Sequence, residues 1–230
     1  MPKNSSRSTS VNQILSRLTP ADFALLRPSL EAVDLPLRKQ LEARNKRVEH
    51  VYFIESGFAS VVANGSGKPS IEVGVIGKEG MTGLNVVLGK DDRVPNETFM
   101  QAAGNGMRIP VADLRVAIDS SVSLHRAMLR FVHAFLAQTS RTAATNGRSK
   151  IDERLARWLL MAADRVEGEL KLTQEFLAIM LGVRRSGVAT ALQALERAAL
   201  ISHRRGVIMI LNRDALILSS NGTYAPLDSD

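Results

Sequence analysis

Three textures of apolar and polar positions follow one another along the chain. Residues 1–10 are Ser-rich and basic with nothing to bury, so a disordered tail is expected there. Residues 11–18 read as a short helix. A second is expected from Thr19-Pro20, with Thr as cap and Pro at the first helical position, to about Arg27, stopping near Pro28. From about residue 30 to 109 come short β-like runs at 51–54, 59–63, 71–76 and 97–101, separated by Gly57, Gly65, Gly67, Gly77, Gly80, Gly83, Gly89, Gly104 and Gly106. Closely spaced strands with glycine turns predict an antiparallel barrel or roll.

The third texture is helical. A short helix is expected over 111–118 and a long one over about 120–146. The long one carries Leu124, Met128, Phe131 and Phe135 on one stripe, continued by Gln138 or Thr142. Steps of four, three and four suit a coiled-coil seam, and an ordinary core helix gives the same stripe. Asn146-Gly147 is expected to break this helix and form a hinge. Residues 151–166 then place Leu155, Trp158, Leu159 and Ala162 on one face, with Trp158 as a core anchor. An apolar cluster at 215–218 and a polar end containing Tyr224 close the chain, and the end is assigned no role.

Residues 172–211 carry the chemistry. Thr173 can cap a helix whose Phe176, Leu177, Met180 and Leu181 form one apolar face, and Gly182 can supply the left-handed turn that ends it. In the next helix Val188, Leu192 and Leu195 face inward, so Arg185, Ser186, Ala189, Thr190 and Gln193 face outward. A short hairpin tipped by Arg204-Arg205-Gly206 completes a winged helix-turn-helix. Short polar side chains behind an N-terminal arginine suit the major groove, where arginine is the bidentate partner of guanine. Between Leu172 and Arg213 stand six arginines and two acidic residues, a basic stripe of the kind phosphate contacts require. The expected base contacts are Arg185, Ser186, Ala189 and Thr190; the expected phosphate contacts are Thr173, Arg184, Arg204 and Arg205.

Composition narrows the classes. The chain has 230 residues, a net charge of +7 and no cysteine, which excludes disulfides, thiolate nucleophiles and cysteine-ligated iron–sulfur clusters. No cofactor is expected. His50, His125, His133 and His203 are scattered, and only His50 falls within the β-like segment, where it stays open as an axial haem ligand. No nucleophile–base set, phosphate loop or metal cluster is visible, so the chain is read as no enzyme. Without a signal-like run or a membrane-length apolar stretch, a soluble cytoplasmic protein is expected.

The order of roll, long helix, hinge and winged helix-turn-helix resembles the Crp/Fnr family of bacterial transcription regulators. The resemblance rests on RLARWLLMAADR at 154–165, LTQEFLAIMLGVRRSGVATALQALE at 172–196 with the following LI and RRGVIMI, and VYFIESGFASVV at 51–62. It implies an α+β chain: a cyclic-nucleotide-binding-like β-roll (a double-stranded β-helix) with flanking helices at 11–118, a dimerisation helix at 119–146, a winged helix-turn-helix at 147–218 and a tail at 219–230. Leu124, Met128, Phe131 and Phe135 would form the dimer interface. The implied partners are double-stranded DNA with a palindromic site, a second copy, an unidentified small effector or none, and RNA polymerase as a candidate.

Two departures from the family pattern stand out. Where cyclic-nucleotide binders carry Gly-Glu-Leu and an arginine-containing triplet, this chain has Gly83-Leu84 and Asn96-Glu97-Thr98. Leucine cannot accept from a ribose hydroxyl and a carboxylate repels a phosphate, so the usual binding of cyclic AMP or cyclic GMP is not expected at these five residues. In the recognition helix the family's Arg-Glu-x-x-x-Arg is replaced by Arg185, Ser186 and Thr190. Two other functions fit some of the same features: a weakly specific nucleoid-type DNA-binding protein, which the charge alone allows, and an enzyme with a ligand-binding roll.

Overall fold

The computed structural model describes residues 10–63, 70–90 and 93–226. The tail expected at 1–10 lies outside them but for Ser10, as do Gly65 and Gly67 of the expected turns. Asn12 opens α1 (Gln13–Ser16): its side-chain oxygen accepts from the N–H groups of Ile14 and Leu15, and its amide donates to the carbonyls of Ile54 and Gly80, both at 2.8 Å. Thr19 caps α2 (Pro20–Leu26), and a 3-10 turn at Arg27–Ser29 leads to the strands.

These are β1 (Glu31–Leu35), β2 (Gln40–Glu42), β3 (His50–Ile54), β4 (Phe58–Ala63) and β5 (Ile71–Ile76), then the one-turn α3 (Leu84–Val87), β6 (Glu97–Ala102) and β7 (Gly104–Pro110). They form sheets of order β1-β7-β3 and β2-β6-β4-β5, with β7 antiparallel to both neighbours, Val33 and Ile54 each opposite Gly106. This is an antiparallel roll. β1, β2 and β7 are strands that the apolar pattern did not announce. β1 is buried only at Leu35 and so shows no alternation. Gly104 opens β7 just after β6 ends, where a Cβ would sit 1.9 Å from the carbonyl oxygen of Ser56, while Gly106, also expected between strands, lies inside β7.

Helices α4 (Val111–Ser120) and α5 (Val122–Arg148) follow. At 27 residues α5 is roughly 40 Å long. Its start is tied to α2 through Asp22, whose carboxylate accepts from the hydroxyls of Ser121 (2.5 Å), Ser123 (2.8 Å) and Thr19 (2.9 Å). The Ser121 bond, with those of Ser123 and Thr19, outweighs burial and holds the Asp22 carboxyl below its ordinary range. The expected break at Asn146-Gly147 is not there. The helix runs through Gly147, which is exposed and meets nothing, and ends at Arg148; the interruption falls at Ser149-Lys150. A mid-helix glycine costs only about 1 kcal/mol, and neighbouring bonds such as Ser149 N–H to Thr145 carbonyl (2.9 Å) carry the last turn across it.

Beyond it come α6 (Ile151–Ala163), β8 (Leu170–Lys171), α7 (Gln174–Leu181), α8 (Arg185–Arg197), β9 (Ile201–Arg204), β10 (Val207–Ile210) and α9 (Arg213–Ser219), with a third sheet ordered β8-β10-β9. Two compact units result, one formed by residues up to Val61 with Ile76–Leu136, the other by Val62–Val75 with residues from Ala137 on.

In the first unit the stripe expected to form a dimer interface is already covered. Leu124 and Met128 are fully buried, and Phe131 and Phe135 are 8% and 6% exposed in the single chain. Each such burial contributes roughly 1.5–3 kcal/mol, so these four side chains serve the core of their own unit and are not free to face a second copy. Phe131 reaches Gly80, where an added Cβ would lie 2.1 Å from the ring tip. Gly80→Ala should therefore destabilise the protein by about 1–3 kcal/mol through overpacking, read as a lowered denaturation midpoint; an unchanged midpoint would show the ring free to move.

Candidate nucleic-acid interface

In the second unit α6 is the central helix, buried from Leu155 through Ala162 on every side. Trp158 is 4% exposed, and its indole N–H donates to the carboxylate of Glu72, itself buried, at 2.5 Å. Strand β5 thus joins this unit's core. Val75 exchanges both backbone groups with the amide of Gln138, at 2.7 and 3.1 Å. Arg157, also buried, donates to Thr142 Oγ1 (3.0 Å) and to the Thr223 carbonyl (3.1 Å). Burial pulls its guanidinium down to about 10, partly offset by the charge of Glu72.

The helix pair sits on this base. Thr173 caps α7 by accepting from Phe176 N–H, and Leu177, Met180 and Leu181 are buried. Gly182 takes φ +62°, and a Cβ there would lie 2.8 Å from Ile71 Cδ1, so both the turn and the packing against β5 favour glycine. Arg154 braces the same turn: it donates to the Leu181 carbonyl at the end of α7 and, through Nε, to Asn146 Oδ1 near the end of α5 at 3.1 Å. This role was not legible beforehand, because an arginine within an apolar stretch gives no sign of which carbonyl it will reach.

Helix α8 buries Val188, Ala191, Leu192 and Leu195. Its other face exposes Arg185, Ser186, Thr190 and Gln193, with Ala189 half-buried between them. Thr190 returns its hydroxyl to the Ser186 carbonyl at 3.1 Å. Arg184, at the cap position, is exposed and makes no side-chain capping bond. The wing is β9 and β10, closed by Arg205 (φ +50°) and Gly206 (φ +78°) with Arg204 opposite Val207, a two-residue turn of type I′. Arg204 and Arg205 are exposed, as is Thr173. All eight residues expected to touch DNA thus lie on α7, α8 or the wing.

The polar segment around Tyr224, assigned no role in the sequence, packs against this unit. Tyr224 is 9% exposed; its hydroxyl donates to Asp164 at 2.9 Å and accepts from Arg213 at 2.7 Å, and Arg213 pairs with Asp164 at 2.5 Å. Burial, with Asp164, pushes the phenol up to about 12. The signal available was slight: one aromatic residue in a polar end.

Comparison with known proteins decides the nature of this unit, since residues 153–218 match the family model of the Crp-like helix-turn-helix domain. The C-terminal unit carries a Crp-like helix-turn-helix. Among solved structures the chain is similar to a protein from Eubacterium rectale assigned to the Crp/Fnr family of transcriptional regulators (TM-score 0.71, 17% identity, 91% of this chain and 98% of that one). It is similar too to the c-di-GMP-responsive global regulator CLP of Xanthomonas campestris (0.68, 16%, 84% and 99%). A third is a CRP-family transcriptional regulator from Thermus thermophilus (0.68, 19%, 86% and 100%). At these identities the likeness establishes the fold: the chain has the Crp/Fnr architecture of antiparallel roll, long helix and helix-turn-helix. Curated protein sequences gave no match.

In the roll, the five residues expected around an effector are not one cluster. Gly83 begins α3, and its N–H donates to Glu42 Oε1 at 2.8 Å; Thr98, buried in β6, donates to Glu42 Oε2 at 2.5 Å. Leu84 and Asn96 are half-buried. Glu97, adjacent to Thr98 and so on the opposite face of β6, accepts from Gln40 at 2.7 Å. The carboxylate that meets the Gly83 amide is Glu42, a residue not singled out in the sequence. Burial raises the Glu42 carboxyl above its ordinary value, against the lowering effect of its two hydrogen bonds. Glu42 was missed because β2 was missed.

A phosphate offered to the Gly83 N–H and the Thr98 hydroxyl would have to displace this internal anion. Calorimetry with cyclic AMP or cyclic GMP should show no binding at micromolar concentrations, and a clear heat of binding would overturn the reading. Because the raised carboxyl binds its proton more tightly when folded, its contribution favours the folded state most at acid pH and fades as pH climbs from about 4.5 through the folded value.

Proposed function

We propose that this protein is a dimeric, sequence-specific DNA-binding transcription regulator of the Crp/Fnr type, whose α8 enters the major groove. The exposed face of α8 carries the reading: a guanidinium at its first position, then Ser186, Thr190 and Gln193, small enough for backbone and base edges to approach. Arg185 contacts a guanine, Ser186, Ala189 and Thr190 read neighbouring base edges, and Arg184, Arg204, Arg205 and the Thr173 hydroxyl hold phosphates. The match of residues 153–218 supports this assignment, and the six arginines of 172–213 supply its charge.

Duplexes selected from a random pool, then challenged with specific and random competitor at two salt concentrations, test it. Arg185→Ala should cost about 1–3 kcal/mol on the selected site and relax one base pair, whereas losing Arg204 and Arg205 should weaken all duplexes alike and flatten the salt dependence. Equal competition by random DNA at high salt would favour a nucleoid-type protein instead.

Dimerisation needs a different face of α5 from the one expected. Val122 (67% exposed), the half-buried Leu129, Leu136 (58% exposed) and the exposed Ala143 recur every seven residues, the period of a coiled-coil seam. A second copy laid along this stripe would bury side chains that the single chain leaves in water. Leu136→Glu, at an exposed site, should leave the fold intact and halve the mass measured by light scattering. A variant that stays dimeric would move the interface elsewhere.

A further inference from the structure

Beside the C-terminal end of α3 lies a cavity of about 620 Å³, walled by α3, α4 and α5, all within the first unit. Gly83, Glu42 and Thr98 do not line it, so it is distinct from the subsite that Glu42 fills. Its floor is apolar, with Val86 and Val87 from α3, Ile118 from α4 and Leu129 from α5. Leu88, 54% exposed, extends that apolar surface to the rim.

Among the described residues of its wall the charged side chains are Arg47, Lys90 and Arg115, with the carboxylate of Asp119. Two contacts hold the walls in place. Arg115 Nη2 donates to the Lys90 carbonyl at 3.2 Å, bracing the turn after α3 against α4, and His125 Nε2 donates to the Val87 carbonyl at 2.8 Å, bracing α3 against α5. The volume falls in the range of small-molecule sites, about 300–1,000 Å³, and such sites combine an apolar lining with a few polar groups that set orientation.

We infer that this cavity binds a small organic anion with an apolar body, a medium-chain carboxylate being the simplest representative. An inorganic anion would leave the apolar floor unused. A polyanion would meet Asp119, and a cation would meet three like charges. A carboxylate head among Arg47, Lys90 and Arg115, with its chain over Val86, Ile118 and Leu129, uses both the cationic and the apolar side of the lining. Since Leu129 also belongs to the stripe of α5 assigned to the second copy, a ligand here touches the helix that would carry dimerisation. The inference supplies an effector class for the proposed regulator, but its test involves no DNA, so it can fail while the DNA-reading assignment stands, and the reverse.

The experiment is calorimetry of the full chain with decanoate, its cationic counterpart decylamine, and the charge-reversed double variant Arg47→Glu with Lys90→Glu. Both positions are exposed, so the variant should fold as the parent does, with circular dichroism as the check. The expected result is one decanoate per chain, binding at least about tenfold weaker in the variant, and no binding of decylamine to the parent. Absence of decanoate binding overturns the inference. So does equal binding of the two amphiphiles, or an affinity for decanoate that the double reversal leaves unchanged.

Discussion

The face of α5 that carries Leu124, Met128, Phe131 and Phe135 can be covered only once, and the roll covers it. That constraint orders the first unit. It sets α5 close enough to the roll for Phe131 to occupy the space a Cβ at Gly80 would need, and it fixes the start of the helix where Ser121 and Ser123 reach Asp22. It also leaves a second apolar row, seven residues apart, in which Val122, Leu136 and Ala143 are exposed and Leu129 is half-buried. Long helices that serve both a core and an assembly need two such rows, and the charge and size of the residues between them keep the rows separate.

In the second unit the comparable role falls to a buried polar group. Glu72 arrives on β5, far away in sequence, and meets the indole of Trp158 on α6 with Arg157 nearby. A carboxylate out of water is costly unless hydrogen-bonded and charge-compensated, and here both conditions are met. The apolar contact of Ile71 with the Gly182 turn and the paired bonds between Val75 and Gln138 put two further positions of β5 to similar use. The helix-turn-helix therefore rests on a platform that includes a strand from the N-terminal half of the chain.

Much of this was legible in the sequence, for identifiable reasons. The two helices after Leu172 announced themselves because each carries one apolar face and the first also a Thr173 cap, both local properties. The turn at Gly182 followed from the same logic. Strands β1, β2 and β7 did not, because an exposed edge strand has no alternation and because glycine inside a strand looks like glycine in a turn. Missing β2 concealed Glu42, which changed the account of the ligand subsite while leaving its outcome the same. The stripe on α5 was seen and its use misjudged: spacing alone does not say whether a helix faces its own domain or another copy. The tail around Tyr224 depended on three partners distributed from Arg157 to Arg213, and no local pattern reports such contacts.

The turn of the wing carries one more implication. Type I′ turns are made most readily by asparagine or glycine at the first central position, whereas this chain holds an arginine there at φ +50°. A bulky residue in the left-handed region costs on the order of 1–2 kcal/mol. The hairpin would close more easily with almost any small polar residue in that place, so backbone ease cannot account for the choice. What the arginine adds is a cation held out in water at the tip of the hairpin, on a two-residue turn whose backbone is fixed.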